Sequence, residues 1–345
     1  MRHSAEAPPS TSEARGLVFP GAVVAAVILA IYGCTAAVAS PSPSPSPSPT
    51  PVARPTPSPA AAFPVTLTDD EGTQVTIPSE PRRIVSLTPA ATEILFAIGA
   101  GERVAAKVED ITPWPPEAGG LPIVATFQGV QVEKIVELNA DLAVAGGVAF
   151  TDPEAVAQLR RLGIPVIVVY ADSTDGAFRD IELIGDAAGE GAAARDLTAS
   201  MRAAFDQVEA ATAGLPKPRV FYEIDATSKI YTPAEGSVYA EMLRLAGSEP
   251  LLTDRSYEIS LEEIVEFDPE IILLGSPFAT PDQVRERPGW GGIGAVRNGK
   301  IIPVNDTIIT RPGPRLVDGL RELARALHPD LKLPLTSPAP SEVGG

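Results

Sequence analysis

From Phe63 onward, short apolar runs alternate with stretches of helical period. Residues 65–77 alternate apolar and polar side chains around Asp69-Asp70-Glu71-Gly72, the pattern of a β-hairpin. Residues 84–87 predict a buried strand, and 89–98 a helix stopped at Gly99. Further strands are predicted at 142–145, 166–170, 220–224, 271–274 and 301–304. Residues 174–212 carry helical spacing through Phe178, Ile181 and Ile184, break at Gly189 and Gly191, and resume with Leu197, Met201, Phe205 and Val208. The resumed part, 192–212, would be about 30 Å long at about 1.5 Å per residue. A last helix is predicted over 314–327, with Pro314 in its first turn.

An internal echo organises these elements. Gln131-Val-Glu-Lys-Ile-Val-Glu-Leu-Asn-Ala-Asp-Leu-Ala-Val-Ala-Gly146 aligns without gaps on Ser260-Leu-Glu-Glu-Ile-Val-Glu-Phe-Asp-Pro-Glu-Ile-Ile-Leu-Leu-Gly275, with five of sixteen positions identical. Each copy reads as a short helix, a turn and an apolar strand. A second echo, Pro81-Arg-Arg-Ile-Val and Pro218-Arg-Val-Phe, opens a strand in each half. The fold expected is α/β: two lobes with mainly parallel central sheets, joined by a single long helix. The lobes are placed at 63–173 and 215–330, the bridging helical segment at 174–214, and a loose Pro- and Ser-rich tail at 331–345.

The first 62 residues cannot belong to that core. Residues 1–33 read as a signal peptide, with Arg2 and Arg15 ahead of an apolar run that ends in Ile31-Tyr32-Gly33-Cys34. The end of the run resembles the bacterial lipoprotein box, in which the Cys is diacylated and becomes the mature N-terminus. Cleavage after Ala37-Val38-Ala39, or an uncleaved anchor, also fits; all three readings export the domain. Residues 34–62 form a Pro/Ser-rich tether, and 41–59 as a polyproline II rod would give about 60 Å of stand-off. The net charge of −17 has the wrong sign for binding a phosphate backbone, so nucleic acid is excluded as a main partner. One Cys and two His (His3, His328) remove disulfide frameworks, Cys-based zinc sites and His-dependent triads. A directly bound metal would need carboxylates or Tyr, and no metal site or resident cofactor is read from the chain.

Two facing lobes make a cleft outside the carboxyl ends of their strands. Aromatic residues gather in the connecting segments: Phe150, Tyr231 and Phe278 follow strands, and Trp114, Phe127 and Tyr257 precede helices. Singly each suits loop packing; as a group they suit a broad, flat ligand. Arg311, in Arg-Pro-Gly-Pro-Arg315, is either held toward the cleft by its prolines or a solvated loop residue. Glu133 and Glu262 occupy the same place in the two repeat helices. Ser260 and Glu263 read as a capping box, which leaves Glu262 free to point outward. The helix dipole alone would favour Glu there. Acid–base work by the two Glu residues would instead need them to converge within about 5–9.5 Å. The alternative from another class, an exported carboxylate-based hydrolase, depends on that convergence.

Asp69-Asp-Glu-Gly72, Pro81-Arg-Arg-Ile-Val-Ser-Leu-Thr-Pro-Ala-Ala-Thr-Glu-Ile-Leu-Phe-Ala-Ile-Gly99, Trp114-Pro-Pro116 and the doubled Glu-x-Ile-Val helix together resemble the cobalamin and ferric-chelate solute-binding proteins of ABC importers. The resemblance covers residues 65–328. It implies a non-enzymatic monomer that holds a small metal chelate between its lobes and works with a permease and its ATPase at the outer face of the cytoplasmic membrane. By position, Glu133 and Glu262 are the carboxylates that dock to Arg residues of the permease. Thr126-Phe127-Gln128-Gly129 is similar to the Thr-Trp-Gln-Gly of cobalamin binders, and Tyr231 falls on a cleft aromatic of that subgroup. Tyr257 lies one position beyond another, where this chain has Ser256. The ligand-binding set implied is Trp114, Phe127, Gln128, Phe150, Tyr231, Tyr257, Phe278 and Arg311. A cobalt corrinoid is the favoured cargo; a ferric siderophore, contacted by Arg311, is the alternative.

Overall fold

The structure, a computed structural model, describes residues 63–254, 256–275 and 279–333. The leader, Cys34, the tether, Phe278 and the residues after 333 lie outside the described residues.

The hairpin forms where the alternation places it: β1 (Val65–Thr68) pairs antiparallel with β2 (Gln74–Ile77). The buried Asp69 carboxylate fixes its turn, accepting from the N–H groups of Glu71 and Thr73 and, at 2.7 Å, from Arg160. The first lobe then runs β3 (Ile84–Ser86), α1 (Pro89–Ala97), β4 (Val104–Val108), β5 (Ile123–Thr126), β6 (Gly129–Val130), α2 (Val132–Glu137), β7 (Leu142–Gly146), α3 (Pro153–Arg161) and β8 (Val166–Val169). Its six-stranded sheet has the order β6-β5-β4-β3-β7-β8 and is parallel except at the edge strand β6. α1 starts where it does because the Thr88 hydroxyl accepts from the Ala91 N–H and Pro89 tolerates the first turn.

Two helices follow, α4 (Thr174–Ala188) and α5 (Gly191–Thr212). The second lobe comprises β9 (Arg219–Glu223), β10 (Ile230–Tyr231), α6 (Val238–Leu245), β11 (Glu249–Pro250), β12 (Glu258–Ile259), α7 (Leu261–Phe267), β13 (Ile271–Leu274), α8 (Pro281–Glu286), α9 (Gly294–Arg297), β14 (Ile301–Pro303), α10 (Asp306–Thr310) and α11 (Leu316–Leu327). Its four-stranded sheet, β11-β9-β13-β14, is wholly parallel, and β10 pairs antiparallel with β12 beside it.

Some elements depart from the hydrophobic pattern. β4 and β5 carry no apolar run that announces a strand: β4 is Val-Ala-Ala-Lys-Val, and its buried Lys107 is accommodated because Nζ donates to the Val108 carbonyl. The last helix begins at Leu316, with Arg315 rather than Pro314 at its boundary. A short helix, α10, intervenes between β14 and Arg311, so Arg311 leaves a helix end and not a strand end.

The internal echo is a structural repeat down to its hydrogen bonds. β3 lies parallel to β7, and β9 lies parallel to β13. The turn before each second strand uses a left-handed residue at the same place, Asn139 (φ 52°) and Asp268 (φ 45°). Two positions on, Asp141 accepts from the N–H groups of Arg82 and Arg83, and Glu270 from that of Arg219. Each acid also donates its own N–H back, to the carbonyl of Arg83 or of Arg219.

α5 has 22 residues, about 33 Å at about 1.5 Å per residue. At its start, Arg103 of the first lobe pairs with Glu190 at 2.5 Å and donates to the Ala188 carbonyl. At its end, the Thr212 hydroxyl donates to the Leu245 carbonyl of the second lobe. Apolar packing follows the same path. One cluster contains Ile94, Val144 and Ile181, passes through Met201 and Phe205 of α5, and continues into Tyr222, Leu243, Leu273 and Leu320. The opposite face of each sheet has its own cluster, around Val85, Ala143 and Val166 in one lobe and Phe221, Ile272 and Trp290 in the other. The lobes therefore share a core, and moving one against the other shears packed side chains rather than bending a free linker. Among the described residues no helix is long and apolar enough to cross a membrane.

Candidate ligand-binding site

Parallel strands deliver the loops that follow them to one edge of a sheet. In the first lobe, four of these loops expose large apolar side chains. Ile111 and Trp114 follow β4, Phe127 follows β5, Val148 and Phe150 follow β7, and Tyr170 follows β8. From β5 to β8 there are four strand spacings of about 4.8 Å, so the row is about 20 Å wide. Soluble chains rarely leave so many large apolar groups together in water, and such patches mark binding surfaces.

Local geometry fixes the most prominent of them. Thr126 pairs with Gly129 across β5 and β6, which leaves Phe127-Gln128 as a two-residue loop. Gly129 has φ 138°, a region that side chains exclude. The Thr126 hydroxyl donates to Gln128 Oε1 at 2.6 Å and accepts from the Gln128 N–H. Gln128 is thus engaged in holding the turn, and Phe127 projects from it with 90% of its surface exposed. Phe150 is 71% exposed.

Trp114 stands over a polar floor that joins the lobes. The Arg315 guanidinium lies 5.2 Å from its ring centroid, within cation–π range. Arg315 donates to Glu93 Oε2 at 2.9 Å and Oε1 at 2.6 Å. Arg311 donates to Glu93 at 2.8 Å, to both oxygens of Asp110 at 2.9 and 3.0 Å, and to the Thr112 hydroxyl at 3.2 Å. Both arginines come from the second lobe, and Glu93, Asp110, Thr112 and Trp114 from the first. Arg311 is accordingly neither solvated nor a free cation in the cleft; it ties the lobes together. Glu93, Asp110 and Arg315 had no signal in the sequence beyond their residue types, because their partners lie some two hundred positions away.

In the second lobe, Tyr231 and Tyr257 lie at the antiparallel β10–β12 pair, where the Thr232 N–H donates to the Tyr257 carbonyl. Tyr257 has φ 59°, a left-handed conformation uncommon for an aromatic residue. Beneath them the Tyr222 hydroxyl donates to Asp306 at 2.7 Å. Burial, then the adjacent Asp306 charge, pushes the Tyr222 pKa well above its ordinary value, and burial also raises that of Asp306. Burial likewise raises Tyr239. These phenols stay protonated near neutrality and are poor metal ligands in that state. Among the described residues no three His, Cys, Asp or Glu side chains are grouped to hold a metal ion. Arg287, at the end of α8, is held bidentate by the buried Glu223 at the end of β9, at 2.5 and 2.9 Å. The cleft chemistry is apolar walls over neutralised charge.

Glu133 and Glu262 lie away from this floor, exposed in the first turns of α2 and α7. Ser260 and Glu263 form the expected capping box. A recess of about 410 Å³ between β14, α10 and α11 is lined by Val304, Ile308, Glu322 and Ala326 and lies apart from the aromatic row.

The model of the periplasmic binding protein family matches residues 84–306. The chain belongs to that family. It is 32% identical over 275 residues to an uncharacterized ABC transporter substrate-binding lipoprotein of Bacillus subtilis (strain 168), covering 78% of this chain and 87% of the relative. It is 30% identical over 290 residues to a cobalamin-binding protein of Halobacterium salinarum, covering 77% of this chain and 75% of the relative. The crystal structure of the periplasmic vitamin B12 binding protein BtuF of Vibrio cholerae superposes with a TM-score of 0.64 at 27% identity, over 72% of this chain and 97% of that one. The chain is a substrate-binding protein of an ABC transporter. The solute-binding proteins of this family are non-enzymatic.

Proposed function

We propose that this substrate-binding protein captures cobalamin or a related corrinoid between its lobes and hands it to an ABC permease. The observation that carries the reading is the row of exposed apolar side chains, Phe127 through Tyr170, on one sheet edge. A corrin macrocycle offers a broad, weakly charged face, and aromatic surfaces bury such a face with little loss of side-chain entropy. Trp114, Phe127 and Phe150 supply one wall and Tyr231 and Tyr257 the other, with Phe278 in the segment after β13. A ferric siderophore that carries net negative charge would call for free cations. Arg311 is committed to Glu93, Asp110 and Thr112, which favours the corrinoid. The names of the Halobacterium and Vibrio relatives point the same way.

No bond is made or broken. The ligand is held on a largely preformed wall, because the shared core resists wide closure. The loaded protein then presents Glu133 and Glu262 to the permease, whose grip on both lobes opens them. Cys34 carries the lipid, and residues 34–62 hold the monomeric binding domain away from the outer face of the membrane. Calorimetric titration of the full chain with cyanocobalamin tests the ligand: one-to-one binding is expected. Binding of a ferric siderophore with none of cobalamin would overturn it.

A further inference from the structure

The parallel strands β3, β7 and β8 end side by side, and the chain leaves β7 through two successive glycines, Gly146 and Gly147. Neither has a left-handed φ, so backbone conformation does not call for glycine at either place. Space does. A Cβ on Gly146 would lie 2.8 Å from Cβ of Phe150 and 2.8 Å from Cγ2 of Thr88. One on Gly147 would lie 3.2–3.3 Å from Cβ, Cγ and Cδ2 of Tyr170. Ordinary carbon contacts fall at about 3.5–4.0 Å. The turn that carries Phe150 has no slack to yield. The N–H groups of Phe150 and Thr151 both donate to the Gly147 carbonyl, at 2.8 and 3.1 Å, and the Gly146 N–H donates to the Thr151 hydroxyl at 3.0 Å. Both glycines are buried, beneath aromatic side chains that are themselves exposed. β13, the counterpart of β7 in the internal repeat, ends likewise in a glycine without a left-handed φ. There a Cβ would meet different groups, the Tyr222 hydroxyl at 2.7 Å and Asp306 Oδ1 at 3.0 Å. The neighbours differ between the lobes; the demand for an empty place at the strand end is the same.

We propose that Gly146 and Gly147 are positioning residues of the ligand wall. By leaving the end of β7 bare, they let Phe150 and Tyr170 pack directly on the strand end, so that the row meets a broad apolar ligand as one face. A side chain at either glycine would lift one aromatic group off its seat and break that face into separate projections. Exposed aromatic side chains have little else to fix them: Phe150 is set at its Cβ by Gly146, and Tyr170 by Gly147. The inference rests on the corrinoid reading and adds to it the residues that shape the wall without touching ligand.

Two variants of the full chain test this, Gly147→Val and Gly146→Ala combined with Thr88→Ser. Ser keeps the hydroxyl that caps α1 and removes Cγ2, so Phe150 is the group left to move. Gly147→Ala asks Tyr170 to give by only a few tenths of an ångström and is the variant read where Val costs the fold. Crystal structures of the ligand-free variants are expected to show Tyr170 displaced in the first and Phe150 in the second. Either side chain found in its parent position overturns the inference, whatever the ligand proves to be. In calorimetry each variant is expected to bind cyanocobalamin about fivefold more weakly than the parent. In a Tyr170→Ala background, Gly147→Val is expected to change affinity less than about twofold, because its effect passes through Tyr170. A loss as large there as in the parent background overturns the positioning role. Parental affinity in the glycine variants alone removes this inference; parental affinity in Phe150→Ala and Tyr170→Ala removes the wall reading with it.

Discussion

Glu93→Gln tests whether the lobes are held by the ion cluster at the cleft floor. The Glu93 side chain is only 1% exposed and accepts three charge-assisted hydrogen bonds, one from Arg311 at 2.8 Å and two from Arg315 at 2.9 and 2.6 Å. Gln has nearly the same volume, so no cavity complicates the result. It removes the negative charge and turns an NH2 group toward guanidinium donors. A hydrogen bond to a charged group contributes about 1.5–3 kcal/mol, and removing one partner of a buried pair costs about 3–5 kcal/mol. Arg311 keeps Asp110, and both guanidinium groups retain some contact with water, at 15% and 18% exposure. The expected loss is therefore at the lower end, about 3 kcal/mol, with a fall in Tm of about 5–10 °C. Equilibrium urea unfolding followed by circular dichroism measures it, with an unchanged m-value as the sign that only stability has moved. Combining Glu93→Gln with Arg315→Leu should cost clearly less than the sum of the two, because the second change removes a charge the first had stranded. A loss below about 1 kcal/mol, or strict additivity, would refute the cluster as a tie between lobes.

Phe127→Ala should weaken cyanocobalamin binding about tenfold in calorimetry, the worth of one aromatic contact, and leave Tm unchanged because Phe127 packs on little else. Glu133→Ala/Glu262→Ala should spare ligand affinity and abolish uptake of labelled ligand by cells that depend on this chain; normal uptake would remove the docking assignment. Asp180→Asn should flatten the pH dependence of stability. Burial first, and then the neighbouring Asp70 charge, raises the Asp180 pKa to about 8 from an ordinary 3.8. Between those values the folded state holds a proton that the unfolded state has lost, so this group's contribution to stability falls as pH rises from about 4 to about 8. Melting curves across that range should show a shallower decline in the Asn variant, and parallel slopes would count against the raised Asp180 pKa.

The sheets and the duplicated lobes were legible because they rest on local signals: β-branched runs, turn residues, a capping box and a repeat that survives as sixteen aligned positions. β4 was not, since Val-Ala-Ala-Lys-Val owes its strand to neighbours on both sides rather than to its own pattern. The site was legible by halves. Trp114, Phe127 and Phe150 were found as aromatic residues in loops, and the structure brings them to one edge. Tyr170 was read as the end of a strand, and Ile111 and Val148 drew no attention because an apolar residue in a loop carries no marker of exposure. Arg311 was left open between a cleft-facing and a solvated loop residue, because its partners Glu93 and Asp110 are connected to it by no spacing rule.

The shared core and the ion cluster bear jointly on how such a protein releases what it binds. Lobes joined by free linkers can open by bending the linkers. Here the same apolar cluster continues from Ile94 through Phe205 to Leu320, and the Arg311–Asp110 and Arg315–Glu93 pairs bridge the lobes at the cleft floor. Opening wide enough to release a ligand held between the lobes must break charge pairs and shear packed side chains, which thermal motion alone does infrequently. Specificity then belongs to a wall already in place, and affinity depends little on closure. Release becomes a task for an external agent that grips both lobes at once. Glu133 on α2 and Glu262 on α7, exposed one per lobe, are placed as the proposed docking requires. If Glu93→Gln loosens the tie, it should also speed dissociation of bound ligand in the absence of any permease, measurable by stopped-flow with excess competitor. An unchanged dissociation rate in a destabilised Glu93→Gln protein would separate the cluster from release and leave the shared core alone to resist opening.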